Sequence, residues 1–236
     1  LKMGGYGMLR ILVTLMPQTA HKYGIWLATL AAISVMYGAL LTLRQKDLKR
    51  LVAYSSVSHM GYVLLGIAAL GQVSMNGAAL QMFTHGLITG LLFVMVGIIY
   101  ERAHTRNIDE LSGLAHTMPL TATVMILAGF AALGLPVLAG FVSELLVFLG
   151  SFDAYTAPTI VSVFGILLGA GYILWTMQRI FFGPLNPRWA HIPDANSWWE
   201  RVPMGAMVLV IIAVGVRPSI VTSVLDGSII NIVKVL

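Results

Sequence analysis

Long apolar runs alternate with short polar segments along almost the whole chain. Runs of about 20 apolar residues are typical of membrane-spanning helices, because that length crosses the hydrocarbon core of a bilayer. The pattern predicts a partial span and five complete ones, at about 1–16, 24–43, 48–70, 77–100, 158–182 and 204–216. Residues 219–236 mix apolar and polar positions in a way that favours an interfacial helix over a span.

The longest apolar run, 119–151, is predicted to be one discontinuous helix. As a straight helix it would extend about 50 Å, whereas the bilayer core is about 30 Å thick. Gly134, Pro136 and Gly140 lie close together in its middle. Proline removes a backbone donor and clashes with the preceding turn, and glycine lets the chain turn without steric cost. We therefore predict a helix break between Leu133 and Gly140.

The composition is that of a polytopic all-α membrane protein. Of the 236 residues, 58% are hydrophobic and 10% are charged, which excludes a soluble domain, and the runs are too long for barrel strands. We treat residues 1–236 as a single transmembrane domain. Because Leu1 is not an initiator methionine and lies within an apolar run, we expect the chain to be a fragment that lacks N-terminal spans.

The charged loops predict the topology of the chain. Loops 44–50, 101–118 and 179–203 carry nine lysines and arginines, whereas the loops on the opposite side carry four. The positive-inside rule makes the richer side cytoplasmic, and we call it the inner side. This alternation holds only if 119–151 crosses the membrane once. The net charge of +5 therefore reflects topology, and we expect no nucleic-acid partner.

Four ionisable residues, Lys2, His59, His85 and Glu144, fall within four different spans. Counting residues from the span ends places His59 about 15 Å from the inner end of its span and Glu144 about 10 Å from the outer end. Charged groups inside a membrane are rare, and four in one small bundle suggest a proton relay. We expect Lys2, His59 and His85 to form a row bridged by water, with Glu144 as the exit-side carrier.

Other uses of these side chains stay open at this point. Either histidine could serve as a hydrogen-bond partner between helices, for example for the serines that precede His59. The chain has no cysteine and its six histidines are scattered, so we predict no metal site and no thiol chemistry.

The residues around these positions resemble a known family. The motifs are KMGGYG from Lys2, DLKRLVAYSSVSHMGYV at 47–63, QMFTHGLITGLLF at 81–93, YERAHTR at 100–106 and LGLPVLAGFVSELLVFLGSF at 133–152. They resemble the antiporter-like membrane subunits of proton-pumping NADH:quinone oxidoreductase, respiratory complex I, and in particular the subunit M or subunit 4 type. The resemblance extends over essentially the whole chain.

The resemblance implies a fold and a set of site residues. Members of this family have fourteen transmembrane helices with two inverted five-helix repeats. By this resemblance the chain would be the C-terminal half, from the end of the eighth helix. Glu144 would be the glutamate of the discontinuous twelfth helix, and Lys2 the lysine at the middle of the channel. His59 and His85 would be the histidines of the tenth and eleventh helices.

The resemblance also implies a function. The chain would be a non-redox, proton-translocating subunit of an enzyme complex, with no catalytic redox site and no cofactor of its own. NADH, flavin, iron–sulfur clusters and quinone would belong to partner subunits, and neighbouring antiporter-like subunits and the lipid bilayer would surround the chain. The location would be a bacterial inner membrane, or else a thylakoid or mitochondrial inner membrane.

Two alternatives remain open from the sequence. A related sodium/proton antiporter or membrane-bound hydrogenase shares this module. A structural membrane subunit without conduction is the other alternative, and it does not explain why Lys2, His59, His85 and Glu144 occur together.

Overall fold

The computed structural model describes residues 1–234, which form helices joined by loops and one isolated β-bridge between Asp47 and Asn107. Five of the helices described are long and apolar enough to cross a membrane, and the all-α polytopic class is confirmed. Residues 235 and 236 of the predicted interfacial helix lie outside the described residues. The helices are α1 Lys2–Gly7, α2 Pro17–Leu43, α3 Leu48–Ala68, α4 Gln72–Ala103, α5 Pro119–Ala132, α6 Ala139–Phe152, α7 Thr156–Phe181, α8 Trp198–Val216 and α9 Ser219–Val233.

Several helix ends differ from the spans expected from hydrophobicity. Helix α8 begins six residues before the expected start at 204, because Glu200 turns back and accepts a hydrogen bond from the backbone N–H of Ser197 at 3.4 Å. Pro203 lies inside the helix and does not start it. Between α1 and α2, residues Met8–Val13 form a π-helical segment, which hydrophobicity did not indicate. Where each helix crosses the membrane stays a prediction.

Helix α3 lies at the centre of the bundle. In the most apolar 18-residue stretch of α3, 72% of the residues are buried, against 22–50% in the same kind of stretch of the other four long helices. Helix α3 therefore forms the core around which the others pack. Helix α2 approaches it closely: a β-carbon at Gly38 would lie 2.6 Å from the backbone nitrogen of Ser58. The Ser58 hydroxyl also donates to the Val35 carbonyl at 3.0 Å. Small residues therefore allow the close contact that drives helix association in lipid.

The discontinuous helix is confirmed, as α5 ends at Ala132 and α6 begins at Ala139. Gly134 has a φ of 67° and Val137 a φ of 76°, both in the left-handed region. That conformation suits glycine, whereas a β-branched residue there is strained. Gly140 lies within the first turn of α6 rather than in the gap, and a β-carbon there would collide with the Ala131 carbonyl oxygen.

Helix α8 supports the break from the side. A β-carbon at Gly215 would collide with the Val137 carbonyl oxygen and lie 2.6 Å from the backbone of Leu138. Because α8 packs this closely against the backbone of Val137 and Leu138, it holds these residues in the strained turn and opposes their straightening into a continuous helix. Strain of this kind persists only where the surroundings determine it.

Asp194, in the loop between α7 and α8, caps the start of α5. Its carboxylate accepts hydrogen bonds from the backbone N–H of Leu120 at 2.7 Å, from that of Thr121 at 3.2 Å and from the Thr121 hydroxyl at 2.6 Å. The first turn of a helix has unpaired N–H groups, and a negative charge is favourable there. A residue 74 positions downstream thus fixes the first half of the broken helix.

We expect Asp194→Ala to destabilise the full-length subunit by about 1–2 kcal/mol, the usual cost of losing a helix cap. The measurement is thermal unfolding of the detergent-solubilised protein. Asp194→Asn keeps one acceptor oxygen and is the matched control, with a smaller loss. Equal stability of Asp194→Ala and the unchanged protein would show that the cap contributes nothing.

Ion pairs join three segments on the inner side. Lys46 Nζ lies 3.0 Å from one oxygen of Asp109, and Arg179 Nη1 lies 2.9 Å from the other. The hydrogen bond from Lys46, with the charge of Arg179, lowers the pKa of the Asp109 carboxyl below its ordinary value. These exposed pairs align the ends of α2 and α7 with the loop after α4, although each contributes little to stability.

Candidate functional site

The four ionisable residues expected inside the membrane form one continuous row. Lys2 Nζ lies 2.8 Å from Nδ1 of His85, the rings of His85 and His59 have centroids 5.2 Å apart, and His59 Nδ1 lies 3.3 Å from Oε1 of Glu144. Each residue comes from a different helix: α1, α4, α3 and α6. The structure thus brings together all four side chains that the sequence singled out.

The order within the row differs from the expected one. His85, rather than His59, is the neighbour of Lys2, and the two are in direct contact without an intervening water. The reason is lateral packing, since α1 contacts both α3 and α4. Depth along a helix follows from counting residues, but which neighbour a side chain meets does not.

Three members of the row are buried within the bundle. His59, His85 and Glu144 are 8%, 4% and 5% exposed, and Lys2 is half-buried. Among the described residues, neither ring nitrogen of His59 has a hydrogen-bond partner, although one lies at ion-pair distance from Glu144. A buried, unpaired imidazole is costly, so these nitrogens need a water or a transferred proton.

Further polar side chains, not predicted from the sequence, surround Glu144. Gln81 Nε2 donates to Glu144 Oε1 at 3.5 Å, and the Ser143 hydroxyl donates to Oε1 of Gln81. The Ser143 hydroxyl also shares a hydrogen bond with the hydroxyl of Thr84 at 3.2 Å. These contacts help to hold the carboxylate in place.

A polar stripe on α4 continues past His85. The Thr89 hydroxyl lies 3.2 Å from the nitrogens of the His85 ring, one turn further along the helix. Gln81, His85 and Thr89 are therefore spaced at i, i+4 and i+8, which places them on one helix face. This regular polar spacing in an otherwise apolar helix is a signal that could have identified Gln81 and Thr89 from the sequence.

The helix break lies directly against Glu144. A β-carbon at Gly134 would be 2.6 Å from Oε2 of Glu144, so any larger residue would force the carboxylate to move. Pro136 lies in the exposed part of the turn between α5 and α6. The break therefore places backbone next to the carboxylate of Glu144.

Two small cavities meet at His59 and Glu144. Each has room for about one water molecule. The first, which we call the central cavity, is lined by Ser55, His59, Gln81, His85, Ile88, Thr89, Leu92, Ala131, Ala132, Gly140 and Glu144. The second, the tyrosine cavity, is lined by Ser58, His59, Tyr62, Ala132, Leu133, Glu144, Gly165, Ile166, Gly169 and Tyr172.

The chemistry available to this row is proton exchange. Histidine accepts a proton at one ring nitrogen and donates from the other, and lysine and carboxylate can each hold or release one. No group of three or more His, Asp or Glu side chains suited to a metal occurs in residues 1–234.

Comparison with known proteins relates this fold to a membrane family. Residues 1–186 match the family described as NADH:quinone oxidoreductase/Mrp antiporter, transmembrane. The chain is 43% identical over 221 residues to F(420)H(2) dehydrogenase subunit M of Methanosarcina mazei, covering 93% of the chain and 44% of that relative. It is 39% identical over 234 residues to NADH-quinone oxidoreductase subunit M of Rhodobacter capsulatus, covering 99% and 46%. The chain thus spans about half the length of the curated relatives that it matches.

Solved structures give the same result. A chain of respiratory complex I from Thermus thermophilus with bound NADH superposes with a TM-score of 0.94 at 29% identity, covering 100% of this chain and 50% of that one. A chain of the Mrp complex from Dietzia shares the fold, with a TM-score of 0.86 at 22% identity over 97% of this chain and 51% of that one. The chain therefore belongs to the NADH:quinone oxidoreductase/Mrp antiporter family of transmembrane proteins.

Proposed function

We propose that this chain is the C-terminal half of a proton-translocating, non-redox subunit of an NADH:quinone oxidoreductase, of the subunit M type. The observation that carries the proposal is the continuous row Lys2–His85–His59–Glu144 across the middle of the bundle. A membrane scaffold has no need for four ionisable side chains in contact, and burying them is costly.

Protons would move along the row by short transfers. Lys2 Nζ can donate directly to His85 Nδ1 across 2.8 Å. A single water in the central cavity can then carry a proton from His85 to His59, whose ring nitrogens have no hydrogen-bond partner among residues 1–234. His59 passes the proton to the carboxylate of Glu144, which releases it towards the outer side.

Charge repulsion would give the transfer its direction. Two like charges about 4 Å apart repel by about 4 kcal/mol at an effective dielectric constant of about 20. Lys2 Nζ and His85 Nδ1 are closer still, at 2.8 Å, so both cannot readily be protonated together. A proton arriving at one member therefore drives release from the next, and a charge change in an adjoining subunit would act in the same way.

The proposed setting is an enzyme complex in a membrane. Electron transfer would take place in partner subunits that carry the flavin, iron–sulfur clusters and quinone, and adjoining antiporter-like subunits would contact this one. A bacterial inner membrane is the proposed location. The relatives are named as dehydrogenase or oxidoreductase subunits, so a sodium/proton antiporter is not favoured. The names of these relatives give different electron donors, F(420)H(2) in one and NADH in the other, and the donor would bind in partner subunits.

The function is tested by Lys2→Met in the full-length subunit within its assembled complex. Methionine keeps a similar length but carries no proton, so we expect proton translocation to fall to a small fraction while the complex still assembles. The measurement is acidification of inverted membrane vesicles during electron transfer. Lys22→Met, at an exposed lysine near the start of α2, is the control and should pump normally. Normal pumping by Lys2→Met would remove the row from the proton path.

A further inference from the structure

A third small cavity lies between the row and the inner side of the bundle, among α3, α4, α5 and α7. It has room for about one water molecule. We call it the inner cavity, and it is lined by Leu48, Leu51, Val52, Ser55, Leu92, Met125, Gly129, Tyr172, Ile173, Thr176 and Met177. Leu48 begins α3 within the charged segment 44–50 on the inner side, so the cavity extends towards that side.

The hydroxyl of Thr176 in this cavity has no hydrogen-bond partner within the described part of the chain, and the residue is 1% exposed. Threonines inside helices usually satisfy their hydroxyl with the backbone carbonyl one turn earlier. Thr42 does so with Gly38 at 2.7 Å, and Thr159 does so with Tyr155 at 2.8 Å. A buried hydroxyl that forgoes this bond and lines a cavity needs a water as its partner.

The inner cavity is adjacent to both cavities at the row. Ser55 and Leu92 line both the inner cavity and the central cavity. Tyr172 lines both the inner cavity and the tyrosine cavity. Ser55 lies one turn before His59 on α3, so its hydroxyl and the imidazole share a helix face. The Ser55 hydroxyl donates to the Val52 carbonyl at 2.9 Å and remains free to accept from a water.

We propose that the inner cavity holds a water bound by Thr176 and Ser55, and that this water gives the row proton access from the inner side. This inference rests on the proposed function. The water would accept a proton arriving from the inner side and donate its own proton to a water in the central cavity, which His59 also lines, so no net charge stays in the inner cavity. Thr176 is then a positioning residue, because it acts through the water. A cavity lined only by apolar side chains would instead stay dry.

The test compares Thr176→Val with Thr176→Ser in the full-length subunit within its complex. Valine keeps the shape and removes the hydroxyl, so we expect proton translocation to fall several-fold, whereas serine restores most of it. Thr42→Val removes a buried hydroxyl that is already satisfied, away from the row, and should pump normally. Equal losses of proton translocation in Thr176→Val and Thr176→Ser would show that Thr176 acts through packing alone, and would overturn the proposal.

A stability measurement gives a second, independent readout. If the cavity is dry, Thr176→Val removes an unsatisfied hydroxyl and raises the thermal unfolding midpoint. If a water is bound, the midpoint stays the same or falls, which is the expected result. Normal pumping by Thr176→Val alongside a pumping defect in Lys2→Met would overturn this inference and leave the proposed function intact. Normal pumping by Lys2→Met would overturn the proposed function itself.

Discussion

Glu144→Gln is expected to remove most proton translocation while the subunit still folds and assembles. Glutamine has nearly the same shape and keeps an acceptor oxygen for the Nε2 donor of Gln81, 3.5 Å away. It cannot take up or release a proton, so the transfer from His59 would have no acceptor. Electron transfer coupled to pumping should slow in parallel. The measurement is the ratio of protons translocated to electrons transferred in sealed membrane vesicles.

Two further variants sharpen this test. Glu144→Asp retains a titratable group on a shorter side chain, so we expect it to pump at an intermediate rate. Glu101→Gln changes an exposed glutamate that pairs with Arg102 at 3.3 Å on the inner side, and it should behave as the unchanged protein. Full pumping by Glu144→Gln would exclude the carboxylate as a proton carrier.

Gly134→Ala is expected to affect both stability and proton translocation. Its φ of 67° lies in the left-handed region, where a β-carbon costs about 1–2 kcal/mol. That β-carbon would also lie 2.6 Å from Oε2 of Glu144, so the carboxylate must move from its position beside His59. We expect a lower unfolding midpoint and slower pumping, because the break and the site share this contact.

Gly97→Ala is the matched control for this substitution. A β-carbon there meets no atom within 4 Å, and the position lies inside helix α4. Alanine is favoured over glycine in a helix interior by about 0.5–1 kcal/mol, so this variant should be slightly more stable and pump normally. The steric argument fails if Gly134→Ala matches Gly97→Ala in stability and activity.

The sequence alone determined the class, the broken helix and the members of the row. These are local properties: the length of an apolar run sets a helix, Pro136 with its neighbouring glycines interrupts one, and an ionisable residue in such a run is exceptional wherever it packs. Counting residues at a constant rise also gave depth within the membrane, which suggested that Lys2, His59, His85 and Glu144 lie together.

Only the tertiary structure decided how these parts meet. The order of the row, the cap that Asp194 provides for α5 and the support of the break by Gly215 all depend on which helices lie side by side. The Thr176 hydroxyl, which has no hydrogen-bond partner among residues 1–234, is likewise recognised only once four helices enclose a cavity. Hydrophobicity is nearly uniform around these helices, because lipid and protein neighbours are equally apolar. The pattern therefore indicates where a helix lies along the chain, but packing between side chains decides which way it faces.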